Sequence, residues 1–430
     1  MPKTEIPGLT TLAGMYGVQT AFYDVDGRRQ KAPPEGLLSV LRSLAATVES
    51  FSDVQKAIRQ RRQELWRSPI EPVTVAWQGE ATSVALRVPA SQAEGSARCD
   101  LTLETGERRQ WGCHLAGQPV LQSAVVEGIR YQSLRLPLPP DLPWGYHRLT
   151  VEWGGHQSET LVISAPMKAY APDEGRSWGV FLPLYALRTK KDWGAGDLSD
   201  LESLLGWVND LGGNTVATLP LLAAFPDEPS PYAPVSRLFW NELYVDISRV
   251  PELNQSPSAQ AMLGSPEFQR EAEQLRSHSL VDFPRIMRLK RQLLEELARC
   301  FFAERSNRHN DFARFVDTHP LVEEYARFRA VGERIRGPWP EWPPPLRDGL
   351  VEPDDYDEEA QRYHLYAQWL AHEQMMGLSR AARCKGARLY LDLPLGAHPA
   401  GYDTWRERDL FAGDVSAGAP PDTFFAEGQN

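Results

Sequence analysis

Cysteine is scarce in this sequence, and its scarcity excludes two kinds of structure. The 430 residues include only four cysteines, namely Cys99, Cys113, Cys300 and Cys384. No two of them form a C-x-x-C pair, so the sequence predicts neither a disulfide framework nor a structural zinc site. We therefore expect the four thiols to be reduced.

Long apolar runs and an excess of positive charge are also missing. No stretch approaches the roughly 18 apolar residues of a membrane span, and the N terminus has no apolar core behind a basic start. The formal net charge of −11 argues against nucleic acid as a partner, because nucleic-acid-binding proteins concentrate Lys and Arg on one face. We expect a cytoplasmic protein with a neutral or cationic small substrate and with no membrane partner.

The sequence has no motif for a metal or a nucleotide cofactor. His372 and Glu373 are neighbours in a helical pattern, which is more typical of a surface than of a metal site. The GAGD segment at 194–197 lacks both the G-x-G-x-x-G spacing and the lysine of a phosphate-binding loop. We therefore expect no cofactor and no metal.

Three regions of different pattern divide the chain. Residues 1–67 have helical spacing, and residues 68–167 contain short β-like runs separated by turns, which favours a small antiparallel sandwich. From residue 168 to 430, apolar runs typical of strands buried on both faces alternate with helical segments. This βαβ order predicts a parallel α/β sheet or barrel. A long helical insertion is expected at about 247–386.

Within that insertion two helices have clear local signals. Ser265 followed by Pro266 is typical of an N-cap and a first helical residue. The run FPRIMRLKRQLLEELARCFF places five apolar residues on one helical face, namely Ile286, Leu289, Leu293, Leu297 and Phe301.

Unusual residues follow the predicted strands, at the positions where active sites lie in α/β barrels. The loop SPYAPVSRLFWNEL follows the second strand, and Asp392 follows the third clear strand. Tyr232, between two prolines, is either a packing residue or an aromatic platform for a sugar ring. Asn241 offers a donor and an acceptor for hydroxyl groups. Asp392 either binds hydroxyls or forms a structural ion pair.

Several segments together resemble the 4-α-glucanotransferases, also called amylomaltases or disproportionating enzymes. These segments are WGVFLPLYALRTKKDWGAGD, SPYAPVSRLFWNELYVD, YHLYAQWLAHEQ, LYLDLPLGAHPAGYDTW and GAPPDTFFAEGQN. The segment YGVQTAFYDVDGRRQKAPPEGLLSVLRSL is similar to the N-terminal extension of their longer bacterial form. The resemblance covers nearly the whole chain.

This resemblance implies the first part of an α-amylase-type (β/α)8, or TIM, barrel. The implied enzyme transfers α-1,4-glucan segments between maltooligosaccharides with retention of configuration. In the family, the positions of Tyr232 and Asp392 lie in the glucan cleft, and the loop ending at Asp422, with Gln429 after it, helps to form a lid. With Asn241, these residues are the five substrate-binding candidates.

No catalytic pair can be assigned, because the family's nucleophile and acid/base lie beyond the position of Asn430. The sequence therefore suggests the N-terminal portion of such an enzyme, with an incomplete barrel and no activity alone. Its partners are then maltooligosaccharides or other α-1,4-glucans, together with a missing C-terminal barrel half. The alternative is a non-catalytic α-glucan-binding or scaffold protein derived from the family.

Overall fold

The computed structural model describes residues 6–78, 82–171, 176–303, 306–412, 415–416, 418–425 and 428. The chain divides into two compact units, one formed by residues 1–174 with 414–430 and the other by residues 175–413. The helices are α1 (Leu9–Met15), α2 (Pro34–Ser43), α3 (Val54–Arg67), α4 (Leu198–Asp210), α5 (Pro257–Leu263), α6 (Pro266–Ser277), α7 (Phe283–Ala303), α8 (Arg308–Thr318), α9 (Val322–Ile335), α10 (Pro344–Arg347), α11 (Glu358–Cys384) and α12 (Tyr402–Arg406). The strands are β1 (Ala21–Tyr23), β2 (Arg29–Lys31), β3 (Val73–Trp77), β4 (Ser83–Pro89), β5 (Ser96–Thr102), β6 (Arg108–His114), β7 (Val120–Val126), β8 (Ile129–Pro137), β9 (Gly145–Trp153), β10 (His156–Ala165), β11 (Gly179–Phe181), β12 (Thr215–Thr218) and β13 (Arg388–Leu391).

The first unit begins with three helices that share a small core. Leu12 of α1, Leu41 of α2 and Val54 of α3 are almost fully buried in it. Pro34 is the first residue of α2, a position where its missing N–H costs no intrahelical hydrogen bond. The predicted helical character of this region is confirmed for these three segments.

An antiparallel hairpin of β1 and β2 lies between α1 and α2, where the sequence predicted only helix. The turn between these strands has a local cause. The Asp24 carboxylate accepts hydrogen bonds from the backbone N–H groups of Asp26 and Arg28. Gly27 adopts a φ of 73°, which a residue without Cβ tolerates. The uniformly helical prediction for 1–67 is therefore wrong at this hairpin.

A β-sandwich follows, as the alternating pattern predicted. One sheet has the strand order β3-β10-β9-β5-β6, and the other has the order β4-β8-β7. Alternate residues of β4, β5 and β9 point inward, including the fully buried Leu86, Leu101 and Leu149. The core of the sandwich therefore lies between the two sheets.

The second unit contains a parallel sheet with the strand order β11-β12-β13. Val180, Val216 and Leu389 lie side by side on the face that packs into the apolar core. On the other face, Phe181 and Tyr390 flank Ala217 and are 61% and 68% exposed. The expectation that these strands are buried on both faces is thus wrong for β11 and β13, because the core covers only one face of the sheet.

The helices between β12 and β13 follow the predicted local signals. The Ser265 hydroxyl caps α6 by accepting from the backbone N–H of Phe268, and Pro266 is the first helical residue. The apolar residues predicted on one face of α7 are all buried, namely Ile286, Leu289, Leu293, Leu297 and Phe301. Both helix predictions are confirmed.

Asp197 caps α4 and makes the stability of the protein depend on pH. Its carboxylate accepts from the backbone N–H groups of Ser199 and Asp200. Burial, assisted by the neighbouring Asp246 and Asp200, raises the pKa of Asp197 from 3.8 to about 6, against the opposing charge of Lys290. The folded state therefore holds this proton more tightly than the unfolded chain does. The tighter binding of this proton to Asp197 stabilises the folded state fully below about pH 4, and this stabilisation is lost as the pH rises through about 6.

The substitution Asp197→Asn is expected to reduce the loss of stability between pH 4 and 7 by about 2 kcal/mol. Asparagine keeps the capping oxygen but carries no charge. Urea unfolding midpoints across this pH range measure the effect, with Asp26→Asn in the exposed β1–β2 turn as the control. An unaltered pH dependence in Asp197→Asn would contradict the assignment.

Candidate active site

The carboxyl ends of β11, β12 and β13 lie at one edge of the parallel sheet. A loop follows each strand there, and the second and third of these loops are the ones that the sequence singled out. In the first loop, Tyr185 lies on a short 3-10 turn and packs edge-on against Phe283, with ring centroids 5.4 Å apart. The second loop carries Tyr232, and the third begins at Asp392. This edge is therefore the candidate active site.

Tyr232 and Asp392 meet across this edge. The Tyr232 hydroxyl donates a 2.8 Å hydrogen bond to Oδ2 of Asp392, although the two residues are 160 positions apart in the sequence. The Asp392 carboxylate is oriented further by the backbone N–H of Leu393, which donates to Oδ1 at 2.9 Å. The backbone N–H of Asp392 itself donates to the Thr218 carbonyl and so continues the strand pairing. The family resemblance implied that both residues lie in one cleft, and the structure adds the direct hydrogen bond between them.

The environment of Tyr232 leaves its ring accessible. The residue is 50% exposed. The hydrogen bond to Asp392 is the main cause of a raised pKa for the Tyr232 phenol, with smaller contributions from burial and from the charge of Asp392. The phenol therefore stays protonated and keeps its donor role at neutral pH, while the ring remains open to a ligand.

Asp403 fixes the loop that carries Tyr232. Its buried carboxylate accepts from the Ser236 hydroxyl at 2.6 Å and from the Arg237 backbone N–H at 2.8 Å. The Arg237 guanidinium forms an ion pair with the same carboxylate at 3.7 Å. The backbone of Val235 is held as well, because it accepts from the N–H of Tyr402 and donates to the carbonyl of Ala223.

His398 and Glu228 form a second link between the same segments. The His398 backbone N–H donates to the Pro234 carbonyl at 2.8 Å. Its Nδ1 accepts from the backbone N–H of Ala400, so Nε2 carries the proton and donates to Glu228 at 2.8 Å. The imidazole ring packs edge-on against Phe225. Sequence reasoning missed both this pair and Asp403, since nothing in the sequence indicates which loops they join.

Two glutamines of α11 hold the other end of the loop. The Gln368 side chain accepts from the backbone N–H of Trp240 and donates to its carbonyl, at 2.9 and 2.7 Å. Gln374 makes the same pair of bonds to the backbone of Asp246, at 2.9 and 2.8 Å. The loop is therefore rigidly held on both sides of its exposed tyrosine.

The structure shows local backbone partners for two of the remaining predicted residues. Asn241 caps a short 3-10 turn, with its Oδ1 accepting from the backbone N–H of Leu243 at 3.0 Å, so its acceptor already has a partner. An asparagine just before a turn is a capping signal that the sequence already contained. The Asp422 carboxylate accepts from the backbone N–H groups of Phe424 and Phe425. Gln429 lies outside the described residues.

An accessible aromatic ring hydrogen-bonded to a carboxylate suits a polyhydroxylated ligand, because the ring stacks on sugar C–H groups and the carboxylate accepts from hydroxyls. Among the described residues, no three His, Cys, Asp or Glu side chains are arranged to hold a metal ion. In the same part of the chain, no helix combines the length and the apolar character needed to cross a membrane.

A known structure places this fold in the amylomaltase class. The crystal structure of amylomaltase from Corynebacterium glutamicum is similar to this chain, with a TM-score of 0.80 and 26% identity. The similarity covers 98% of this chain and 59% of the crystallised protein. The coarse prediction of an amylomaltase-like fold with an N-terminal β-sandwich and helices is confirmed.

The sequence comparisons identify the family. Residues 182–430 match the family described as 4-alpha-glucanotransferase, and residues 69–166 match the MalQ N-terminal beta sandwich domain. This chain belongs to the 4-alpha-glucanotransferase family. The family resemblance read from the sequence is therefore confirmed.

This chain matches only part of the length of each relative. The 4-alpha-glucanotransferase of Mycobacterium bovis is 30% identical over 99% of this chain, and the match spans 61% of that relative. The 4-alpha-glucanotransferase of Haemophilus influenzae is 31% identical over 69% of this chain and 46% of that relative. The chain thus spans less than two thirds of the relatives it matches.

Proposed function

We propose that this chain belongs to a 4-α-glucanotransferase that transfers α-1,4-glucan segments between maltooligosaccharides with retention of configuration. The hydrogen-bonded pair of Tyr232 and Asp392, at the carboxyl edge of the parallel sheet, carries this proposal. It combines a stacking surface with a hydroxyl acceptor on rigidly held loops. Membership of the family supplies the reaction class.

The substrate-binding residues in this proposal are Tyr232, Asn241, Asp392, Asp422 and Gln429. Tyr232 stacks on a sugar ring, Asp392 accepts from its hydroxyls, and Asn241 contributes its amide N–H donors. Retaining transfer also needs two carboxyl groups about 5 Å apart, a nucleophile and an acid/base. We assign neither role to a residue of this chain and propose that both come from the part of the family fold that residues 1–430 do not include.

The parallel sheet, in this proposal, is part of a (β/α)8 barrel formed by residues 168–430, with a helical insertion at about 247–386. Residues 1–67, which are helical apart from the β1–β2 hairpin, form a lead-in, and residues 68–167 form a β-sandwich domain. The row of Phe181, Ala217 and Tyr390 supports the barrel, because closure would bury the exposed side chains of Phe181 and Tyr390 among the other strands. The four cysteines are thiols, which fits the cytoplasm.

A transfer assay tests the proposed function. The purified chain, alone and joined to the remaining segment of the mycobacterial relative, is incubated with maltotriose. We expect the joined protein to release glucose together with maltooligosaccharides longer than maltotriose. Joining is expected to be necessary, since this chain lacks an assigned carboxylate pair. A well-folded joined protein without products would overturn the transferase assignment and favour a glucan-binding protein, whereas products from the chain alone would overturn the assignment of the carboxylates.

A further inference from the structure

The outer face of the five-stranded sheet is aromatic and apolar where β3, β10 and β9 run side by side. Val75, Ile163 and Tyr146 occupy one row across these strands. Trp77, two residues beyond Val75, points to the same side. Trp77 and Tyr146 are 44% and 61% exposed, although the residues that alternate with them are buried in the sandwich core. Trp144, just before β9, is exposed as well.

The same face becomes polar toward the other end of β9. Gln157, Glu152 and Arg98 lie in one row across β10, β9 and β5, and Gly112 of β6 continues it. With Gln110, these residues line a shallow depression of about 770 Å³. Glu152 is six residues from Tyr146, which corresponds to about 20 Å along a strand. The face is thus long enough for several linked sugar rings.

We propose that this face, from Trp77 and Tyr146 to Arg98 and Glu152, binds an α-1,4-glucan chain. The choice of an α-1,4-glucan as the ligand rests on the proposed function. The exposed aromatic rings stack on the apolar faces of glucose units, and the amide, carboxylate and guanidinium groups hydrogen-bond their hydroxyls. The site lies on the sandwich and contains none of the residues proposed for the transfer site, so its role is to hold a polymeric substrate.

The charges on this face favour an uncharged ligand. Arg98 stands opposite Glu152 in the strand register, and Arg148 is paired with Glu159 in the middle of the face. Positive and negative side chains alternate, so the face offers no single-sign surface for a polyanion. A large exposed apolar patch marks an interaction site. The polar half of this face distinguishes a polyhydroxylated partner from a purely apolar protein surface.

Affinity electrophoresis of the full 430-residue chain in gels containing glycogen tests the site. We expect glycogen to retard the unmodified chain, and we expect Trp77→Ala combined with Tyr146→Ala to raise the apparent Kd at least tenfold. Trp207→Ala on α4 is the matched control, since it also removes an exposed aromatic ring. Thermal unfolding of each variant verifies folding, and Arg98→Ala provides a second, non-aromatic test, with a smaller loss expected.

The outcomes separate this site from the proposed function. Tyr232→Ala is expected to keep most of the retardation by glycogen, because that residue lies outside the sandwich. If glycogen retards the chain but the joined protein shows no transfer, the proposed sandwich site is supported and the proposed transferase function is contradicted. If the joined protein shows transfer but glycogen does not retard the chain, the transferase function is supported and the sandwich site is contradicted. Unchanged retardation in the double variant would overturn the proposal. If the double substitution changed only the molecular mass measured by sedimentation, the proposal would also be overturned, and the face would instead be a contact between two copies of the chain.

Discussion

Tyr232→Ala is expected to weaken maltotriose binding at the candidate active site by about 10- to 100-fold. The reason is the loss of the half-exposed ring, whose burial against a sugar stabilises the complex by about 1.5 to 3 kcal/mol. Tyr232→Phe keeps the ring and loses only the hydrogen bond to Asp392, so we expect a smaller effect, within about tenfold. Isothermal titration calorimetry measures both variants, in a Trp77→Ala/Tyr146→Ala background that removes the proposed sandwich site.

A double-mutant cycle separates stacking from the hydrogen bond. Asp392→Asn retains an acceptor oxygen but loses the charge, and its effect should not add to that of Tyr232→Phe if the two groups act together. Trp207→Ala is the control within the same unit. Trp207 is exposed near the C-terminal end of α4. This helix begins after the carboxyl end of β11 and leads to the start of β12, so Trp207 lies away from the edge that carries the candidate site. Equal affinities for Tyr232→Ala and Trp207→Ala would remove Tyr232 from the binding site.

Local sequence signals were sufficient for much of the fold. The Ser265 cap and the apolar face of α7 depend on residues three or four positions apart, and alternation within single strands was enough to predict the sandwich. Burial of the parallel strands could not be predicted in the same way. Phe181 and Tyr390 are exposed because of what packs on each face of the sheet, and that depends on distant segments.

The candidate site shows the same division. The chemistry of Tyr232 and Asp392 was visible in the sequence, but their contact depends on strand pairing across 160 residues. Asp403 was present in the GYDTW motif, yet its bond to Ser236 joins positions 167 residues apart. Asn241 was predicted as a ligand for hydroxyls, whereas its side-chain oxygen caps a turn. Residue type therefore indicated the chemistry of the site, and only the fold showed which atoms already have partners.

The largest expected effect on stability comes from Glu252, which lies buried among the helices of the second unit. Its carboxylate accepts from Nε of Arg308 at 2.7 Å and from the Tyr366 hydroxyl at 2.8 Å. The other two guanidinium nitrogens of Arg308 bind Glu373, and the guanidinium lies 4.3 Å from the ring centre of Trp369. Glu252 thus connects α8 to α11 through a network in which Glu252 and Tyr366 are buried, whereas Glu373 is partly exposed.

Glu252→Ala is expected to destabilise the helices of the second unit by about 3 to 5 kcal/mol, since it leaves a buried hydroxyl and part of a guanidinium without an acceptor. Glu252→Gln keeps an acceptor oxygen and should lose less. Hydrogen exchange followed by mass spectrometry measures the loss helix by helix, and peptides from α8 and α11 should exchange about 100-fold faster or more. Glu267→Ala is the control, because its pair with Arg270 is exposed and should contribute no more than about 0.5 kcal/mol. Peptides from α2 and α3, in the first unit, should keep their exchange rates in both variants. An equal response of the α8 and α11 peptides to the two substitutions would show that the Glu252 network does not stabilise the second unit.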